Sequence, residues 1–239
     1  MQDKVKKEFI STLSHEIRTP LTSIKGFSNT ILENWEQLSD EQKKYFIKII
    51  EQQSQRLINL VENVLSVSKI EAQENLVLKK TDLYTATKQA VAVICATYKN
   101  FEFKINKQKN LEEIFCDNDK LQQILLNLLD NASKYSKNSK IIEINLKNDK
   151  NFGIISIKNF GVEIEEKYQE KIYEKFFRIN SYLTNSAQGS GLGLYITKTL
   201  VEKMNGKIEL KSQNNSVEFL VYLPLFEAEN ITKHAMEIV

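Results

Sequence analysis

Residues 41–71 read EQKKYFIKIIEQQSQRLINLVENVLSVSKIE, and the spacing of their apolar positions decides the architecture. Phe46, Ile50, Gln53, Leu57, Leu60, Val64 and Val67 step alternately by four and three, which is the seam of a heptad helix. Upstream, residues 2–33 carry helical periodicity too. Ile10, Leu13, Ile17, Ile24 and Ile31 fall close to one stripe, with Leu21 beside it. Residues 34–40 break the pattern, and Ser39 or Asp40 can cap the second helix with Gln42 or Lys43 following. Two long helices joined by a short loop make a hairpin. One such hairpin cannot bury both stripes but two can, so the reading predicts a homodimeric four-helix bundle.

From about residue 76 the pattern changes. LVLKKTDL reads as a strand and turn, residues 83–100 as a helix, and FEFKIN alternates like a strand. A strongly apolar helix follows over 117–136, then the strand pair IIEINLK and GIISIK. Residues 165–176 and 192–204 read as helices, 178–190 as a polar loop, and KIELKS and VEFLVYLP as closing strands. The fold class is therefore α+β: a helical hairpin, then an α/β sandwich with a mixed sheet. The expected domains are 1–75 and 76–226, with 227–239 as a C-terminal tail.

Composition bounds the function. The chain has 239 residues, with 33 Lys plus Arg against 31 Asp plus Glu and a net charge of +2. That balance leaves no basic field, so nucleic acid is not an expected partner. Arginine stands only at Arg18, Arg56 and Arg178. No apolar run approaches the ~18 residues of a membrane span, and the first residues, MQDKVKKEF, lack an apolar signal core. The expected location is the cytoplasm, as a free protein or as the cytosolic part of a membrane-anchored sensor. Cys95 and Cys116 have no metal-ligand spacing and read as reduced interior residues.

His15 faces away from the stripe of the first helix. An exposed imidazole is largely neutral at pH 7 and nucleophilic. Glu16 follows directly and can accept a ring proton. Thr19 lies one turn along on the same face, and Pro20 permits a bend beside them. The surrounding stretch, FISTLSHEIRTPL at 9–21, resembles the H box of sensor histidine kinases. The resemblance implies that His15 is the phosphoacceptor and Glu16 the proton acceptor. It also implies that Thr19 positions a water for dephosphorylation of a partner. His234 reads as a surface residue of the tail.

Asn127 and Asn131 are four apart and so share one face of the apolar helix at 117–136. Two such carboxamides serve either as hydrogen-bond partners of neighbouring strands or as oxygen ligands of Mg²⁺. The segment is similar to the N box of the same kinases. That likeness places Asn127 and Asn131 near Mg²⁺, Lys134 at phosphate and Tyr135 beside the nucleotide. GSGLGL at 189–194 opens a helix, and its glycines allow close approach of an anion to the helix N-terminus. It resembles the family's second glycine box, implying that Gly189, Gly191, Leu192 and Gly193 hold ATP. EKFFRIN resembles the F box, with Phe176 and Phe177 at the base of a lid spanning about 178–188 and Arg178 at the γ-phosphate.

The first glycine box departs from the family pattern D-x-G-x-G-I. Here it reads NFGVEI, keeping Gly161 and Ile164 but placing Asn159 at the adenine-recognising carboxylate and Glu163 at the second glycine. A neutral acceptor in place of a charged one weakens that contact by about 1–3 kcal/mol. Glutamate adopts positive φ poorly and adds negative charge near ATP. The turn in SQNNSVEF lacks the family's glycines and reads as a shortened loop.

The resemblance covers about residues 5–226. It implies an ATP- and Mg²⁺-dependent histidine kinase that passes the phosphoryl group from His15 to the receiver domain of a response regulator. One rival is a phosphatase-biased or scaffold homologue with weak ATP binding caused by Asn159 and Glu163. The other is a free-standing gyrase-type or Hsp90-type ATPase, against which the hairpin and Asn127 both speak.

Overall fold

The computed structural model describes residues 2–72, 75–179 and 190–226, with side chains described from Ile10 onward. The chain divides into two compact units, Met1–Ala72 and Gln73–Val239.

The first unit is the helical hairpin. Helix α1 spans Gln2–Glu33, with Pro20 inside it, and α2 spans Asp40–Glu71. Ser39 is the N-cap of α2 and closes a full capping box. Its Oγ accepts the Gln42 amide at 3.2 Å while Gln42 Oε1 accepts the Ser39 amide at 2.9 Å. Leu60 and Val67 of the heptad seam are buried, together with Ile31 and Ile70. Phe27 and Phe46 meet across the helices with ring centroids 5.3 Å apart. Ile58, Val61 and Leu65, at helical spacing on another face of α2, remain at least half exposed.

The second unit is built on a five-stranded mixed sheet in the order β2-β4-β5-β7-β6. Its strands are β2 (Glu102–Lys107), β4 (Ile141–Asn148), β5 (Phe152–Phe160), β6 (Lys207–Gln213) and β7 (Ser216–Pro224). β2 runs parallel to β4 and every other pairing is antiparallel. A separate antiparallel pair joins β1 (Lys79–Thr81) to β3 (Ile114–Cys116). Helices α3 (Leu83–Thr97), α4 (Asn118–Tyr135) and α6 (Gly193–Lys203) supply the other layer. The core lies where Leu121, Ile124, Leu125, Leu128 and Leu129 of α4 meet Ile142 and Ile144 of β4 and Ile155 and Ile157 of β5, all essentially inaccessible. Asp117 starts α4 by accepting the amides of Asp119 and Lys120 on one oxygen and that of Val77 on the other.

Several expectations change. The stretch 165–176 is not one helix but a single turn, α5 (Glu166–Gln169), followed by a 3₁₀ turn at Lys171–Tyr173. Phe176 then takes φ 62° and donates its amide to Gly191 O at 2.9 Å, a tertiary pairing that ends any helix there. The strand expected from residue 76 is confined to Lys79–Thr81, and β3 was not anticipated. Cys116 is buried, but Cys95 is exposed, because the buried stripe of α3 runs through Ala86, Thr87, Ala90 and Ile94 and leaves Cys95 beside it. The shortened loop between β6 and β7 is a two-residue turn. Asn214 and Asn215, at φ 54° and 53°, take the left-handed conformations that glycine usually supplies. Among the described residues, no helix is long and apolar enough to cross a membrane. The tail at 227–239, with His234, lies outside the described residues, as does most of the 178–188 lid.

Candidate functional site

His15 lies exposed on α1. Its neighbours are tied to the helix or to the second helix. Thr19 Oγ1 donates to the carbonyl of His15 at 3.2 Å. Glu16 points towards α2, where its Oε2 accepts from Arg56 Nη2 at 3.0 Å. Pro20 is buried and carries no N–H, which leaves the Glu16 carbonyl without its usual helical donor. An exposed imidazole, with a carboxylate held next to it by a guanidinium, can act as a nucleophile with an adjacent proton acceptor. Arg56 was not among the residues singled out from sequence. Its position beside Leu57 of the heptad seam was the available signal.

In the second unit, the C-terminal end of α4 is stitched to the end of β5. The amides of Lys137 and Asn138 donate to Phe160 O at 3.0 and 3.1 Å, Ser136 Oγ donates to the same carbonyl at 3.2 Å, and Ser136 bridges Gly161. This joint brings Tyr135 against Gly161. A side-chain carbon at Gly161 would collide with the Tyr135 carbonyl oxygen and would lie 3.3 Å from Asn159 Nδ2. The glycine is therefore a requirement of close approach, whatever its φ. Asn159 is 3% exposed, and its Nδ2 has no acceptor among the described residues.

Glu163 is not strained: positive φ among the described non-glycine residues falls elsewhere. Its carboxylate turns towards the β6–β7 turn and accepts the Asn215 amide at 2.7 Å. The neighbouring Ile164 amide donates to Ser212 Oγ at 2.7 Å, so the segment after β5 is fastened to β6. The charge that sequence reading set against ATP is engaged with backbone instead.

Asn127 and Asn131 lie half-buried one turn apart on α4. Asn127 Nδ2 donates to Gly193 O across a long 3.4 Å, which leaves its Oδ1 as the free ligating atom at the start of α6. Lys134 is occupied by Asp130, its Nζ 2.5 Å from Oδ2, while Tyr98 OH donates to the other oxygen of Asp130 at 2.7 Å. Burial and then the Asp130 hydrogen bond push the Tyr98 hydroxyl well up. Asp130 was missed from sequence, although it stands four residues before Lys134. Burial also raises the Tyr135 hydroxyl, and the nearby Arg178 guanidinium works against it, which places Tyr135 and Arg178 in one neighbourhood.

Gly191 takes φ +70° with the Phe176 backbone packed where a side chain would stand. Leu192 is fully buried, so it belongs to the core, and its amide donates to Ser190 Oγ at 3.3 Å. No side chain caps α6, and its first amides remain available to an anion. Gly189 lies outside the described residues. Among the described residues, no group of three acidic, histidine or cysteine side chains gathers to hold a metal. Amide oxygens on α4 beside an uncapped helix suit Mg²⁺ only when phosphate oxygens complete its shell.

Residues 116–227 match the family described as histidine kinase-, DNA gyrase B- and HSP90-like ATPase. Residues 5–73 match the His Kinase A (phospho-acceptor) domain. The chain is 33% identical over 209 residues to the sensor protein KdpD of Clostridium acetobutylicum, covering 87% of this chain and 23% of that protein. The curated relatives it matches are longer, the chain spanning between 23% and 38% of their length. Among solved structures, full-length ShkA in complex with AMPPNP superposes with a TM-score of 0.66 at 26% identity, covering 92% of this chain and 46% of ShkA. The histidine kinase ThkA in complex with the response regulator TrrA gives a TM-score of 0.72 at 24% identity, covering 94% of this chain and 63% of that one.

Proposed function

Because this chain belongs to the histidine kinase family, we propose that it is an ATP-dependent protein kinase that phosphorylates its own His15 and hands the phosphoryl group to a response-regulator aspartate. One observation carries the reading: an exposed His15 whose neighbouring Glu16 is held by Arg56, on a hairpin matched by the phosphoacceptor domain. An imidazole nitrogen of His15 attacks the γ-phosphorus. A P–N bond forms as the P–O bond to ADP breaks, and Glu16 takes the ring proton. Residues 1–75 serve dimerisation and phosphotransfer, and 76–226 bind ATP.

Asn127 and Asn131 hold Mg²⁺, which would neutralise phosphate charge. The uncapped α6 with Gly191 and Gly193 receives phosphate, and Arg178 stands at its edge. Lys134 reaches phosphate by leaving Asp130. Tyr135, Gly161 and Asn159 line the base. The ATP analogue in ShkA supports this choice of ligand. The half-exposed Ile58, Val61 and Leu65 of α2 are the face that a second hairpin covers in a homodimer. The receiver domain docks on the hairpin, with Thr19 placing the water that hydrolyses the regulator's phosphoaspartate to aspartate and inorganic phosphate. These two domains act in the cytoplasm, as a free protein or as the cytosolic part of a membrane-anchored sensor, and they call for no nucleic acid and no membrane contact of their own.

Incubation with γ-labelled ATP and Mg²⁺ tests it. Acid-labile label on the wild type and none on His15→Gln is the expected result. A folded, dimeric wild type that takes no label at millimolar ATP overturns the reading.

A further inference from the structure

Tyr98 caps the C-terminus of α3 and lies outside every motif of the site, yet its hydroxyl reaches α4 and donates to Asp130 Oδ1 at 2.7 Å. The other oxygen of Asp130 accepts from Lys134 Nζ at 2.5 Å, one turn further along α4. The two partners of this carboxylate differ in freedom. Tyr98 is held by packing: its amide donates to Ile94 O at 2.9 Å, and its ring stands edge-on to Phe101 with centroids 5.7 Å apart. Helix α3 is itself fixed to α4 where Gln122 Nε2 donates to Ala86 O at 2.9 Å. Burial and the Asp130 hydrogen bond keep the Tyr98 hydroxyl protonated, so it stays a donor. Lys134 ends a flexible four-carbon stem and is 30% exposed. One partner of the carboxylate stays and the other can leave.

Asp130 lies among the residues assigned to the nucleotide. Asn127, Asn131 and Lys134 follow one another at spacings of four and three, which puts them along one side of α4. Asp130 and the Arg178 guanidinium act in opposite directions on the Tyr135 hydroxyl, so both charges lie near it. A polyphosphate arriving there meets a carboxylate of its own sign and an ammonium whose charge that carboxylate already balances. The attraction of Lys134 for phosphate is therefore weakest while it is paired and grows as it leaves Asp130. Its departure strips one oxygen of Asp130 of its partner, and the Tyr98 O–H on the other oxygen stabilises the charge that remains.

Resting on the nucleotide-binding reading given above, we propose that Asp130 and Tyr98 are positioning residues for Lys134: the carboxylate holds the ammonium back from the nucleotide phosphates, and the Tyr98 hydroxyl loosens that hold so that phosphate can take the lysine. The two residues act with opposite sign, although they are hydrogen-bonded to each other. Removing the charge of Asp130 releases the lysine and strengthens ATP binding. Removing the Tyr98 hydroxyl leaves the carboxylate to Lys134 alone and weakens ATP binding.

The test measures the dissociation constants of ATP, with Mg²⁺, and of adenosine for the full chain, by displacement of a fluorescent ATP analogue whose own constant is determined for each variant. Adenosine has the base and sugar but no phosphate. Asp130→Asn is expected to tighten ATP by about three- to tenfold and Tyr98→Phe to weaken it by about threefold, with adenosine changed less than about twofold by either. In the double variant the Tyr98→Phe loss should vanish, because no carboxylate is left for the hydroxyl to act on. Asp130→Asn that weakens ATP binding or leaves it unchanged overturns the inference, since the carboxylate then aims the lysine or does nothing to it. A Tyr98→Phe loss that persists in the Asp130→Asn background, or that falls equally on adenosine, overturns it too, because it then comes from the packing of α3 on α4. Each single variant decides by its sign, so failure of one to fold leaves the other decisive. ATP that fails to displace the probe from folded wild type removes the nucleotide-binding reading. Variants that bind ATP as the wild type does remove this inference alone.

Discussion

Arg56 on α2 donates from Nη2 to Oε2 of Glu16 on α1 at 3.0 Å, each side chain about a quarter exposed. The pair fixes the carboxylate that follows His15. Part-exposed ion pairs add little stability, so Arg56→Ala is expected to change the melting free energy of the hairpin by less than about 1 kcal/mol. Its effect should appear in chemistry instead. General-base assistance is worth roughly 100- to 10,000-fold, and a carboxylate that has lost its orientation keeps part of that, so labelling of His15 should slow by roughly tenfold. A labelling rate equal to wild type would remove Arg56 from the account.

Glu163 stands at a family glycine position, and restoring the glycine looks from sequence like a repair. The structure predicts otherwise. Glu163→Gly removes the acceptor of the Asn215 amide and frees the backbone of a turn. Thermal melts should show a loss of about 0.5–1.5 kcal/mol. Nucleotide titration should show no gain in affinity, and a tenfold gain would revive the repair reading.

Gly161→Ala drives a methyl group into the Tyr135 carbonyl at the joint between α4 and β5. Overpacking against rigid backbone costs about 1–3 kcal/mol, and the joint positions Asn159 and Tyr135. Nucleotide affinity should fall by about tenfold or more, and wild-type affinity in a stable Gly161→Ala protein would show that the approach is not needed.

Asp82 caps α3 by accepting the Thr85 amide at 2.5 Å, and this contact is the main reason that its carboxyl titrates below the ordinary value. A carboxyl depressed in the folded state contributes stability above its unfolded pKa and loses it as pH falls through the folded value. Asp82→Ala should cost about 1 kcal/mol near neutrality. The gap from wild type should narrow as pH falls below about 4. Melts of the two proteins from pH 7 to 3 check this, and a gap that widens in acid would contradict it.

How much of this was legible in the sequence depended on whether the cause was local. The heptad seam and the Ser39 capping box are local patterns, and α1 and α2 follow from them. The spacing of Asn127 and Asn131 likewise put them one turn apart on α4. What the sequence hid were contacts between distant segments. Phe176 leaves helix because Gly191 offers it a carbonyl. β3 is three residues long and exists because β1 pairs with it. Glu163 was judged by what the family places there, while its role is set by Asn215, 52 residues later. Asn159 is legible as a substitution, but the burial of its amide nitrogen with no acceptor among the described residues appears only once β5 is packed.

The most direct test of the account is peptide mapping by mass spectrometry after incubation with Mg²⁺ and ATP, kept at neutral to mildly alkaline pH to preserve a phosphoramidate. Ser14 and Thr19 flank His15 and are the competing acceptors. Both hydroxyls are already donating to helix carbonyls, those of Ile10 and His15. The account predicts phosphate on His15 alone, lost on brief acid treatment. Acid-stable phosphate on Ser14 or Thr19, or an unmodified hairpin in protein that binds ATP, would contradict it.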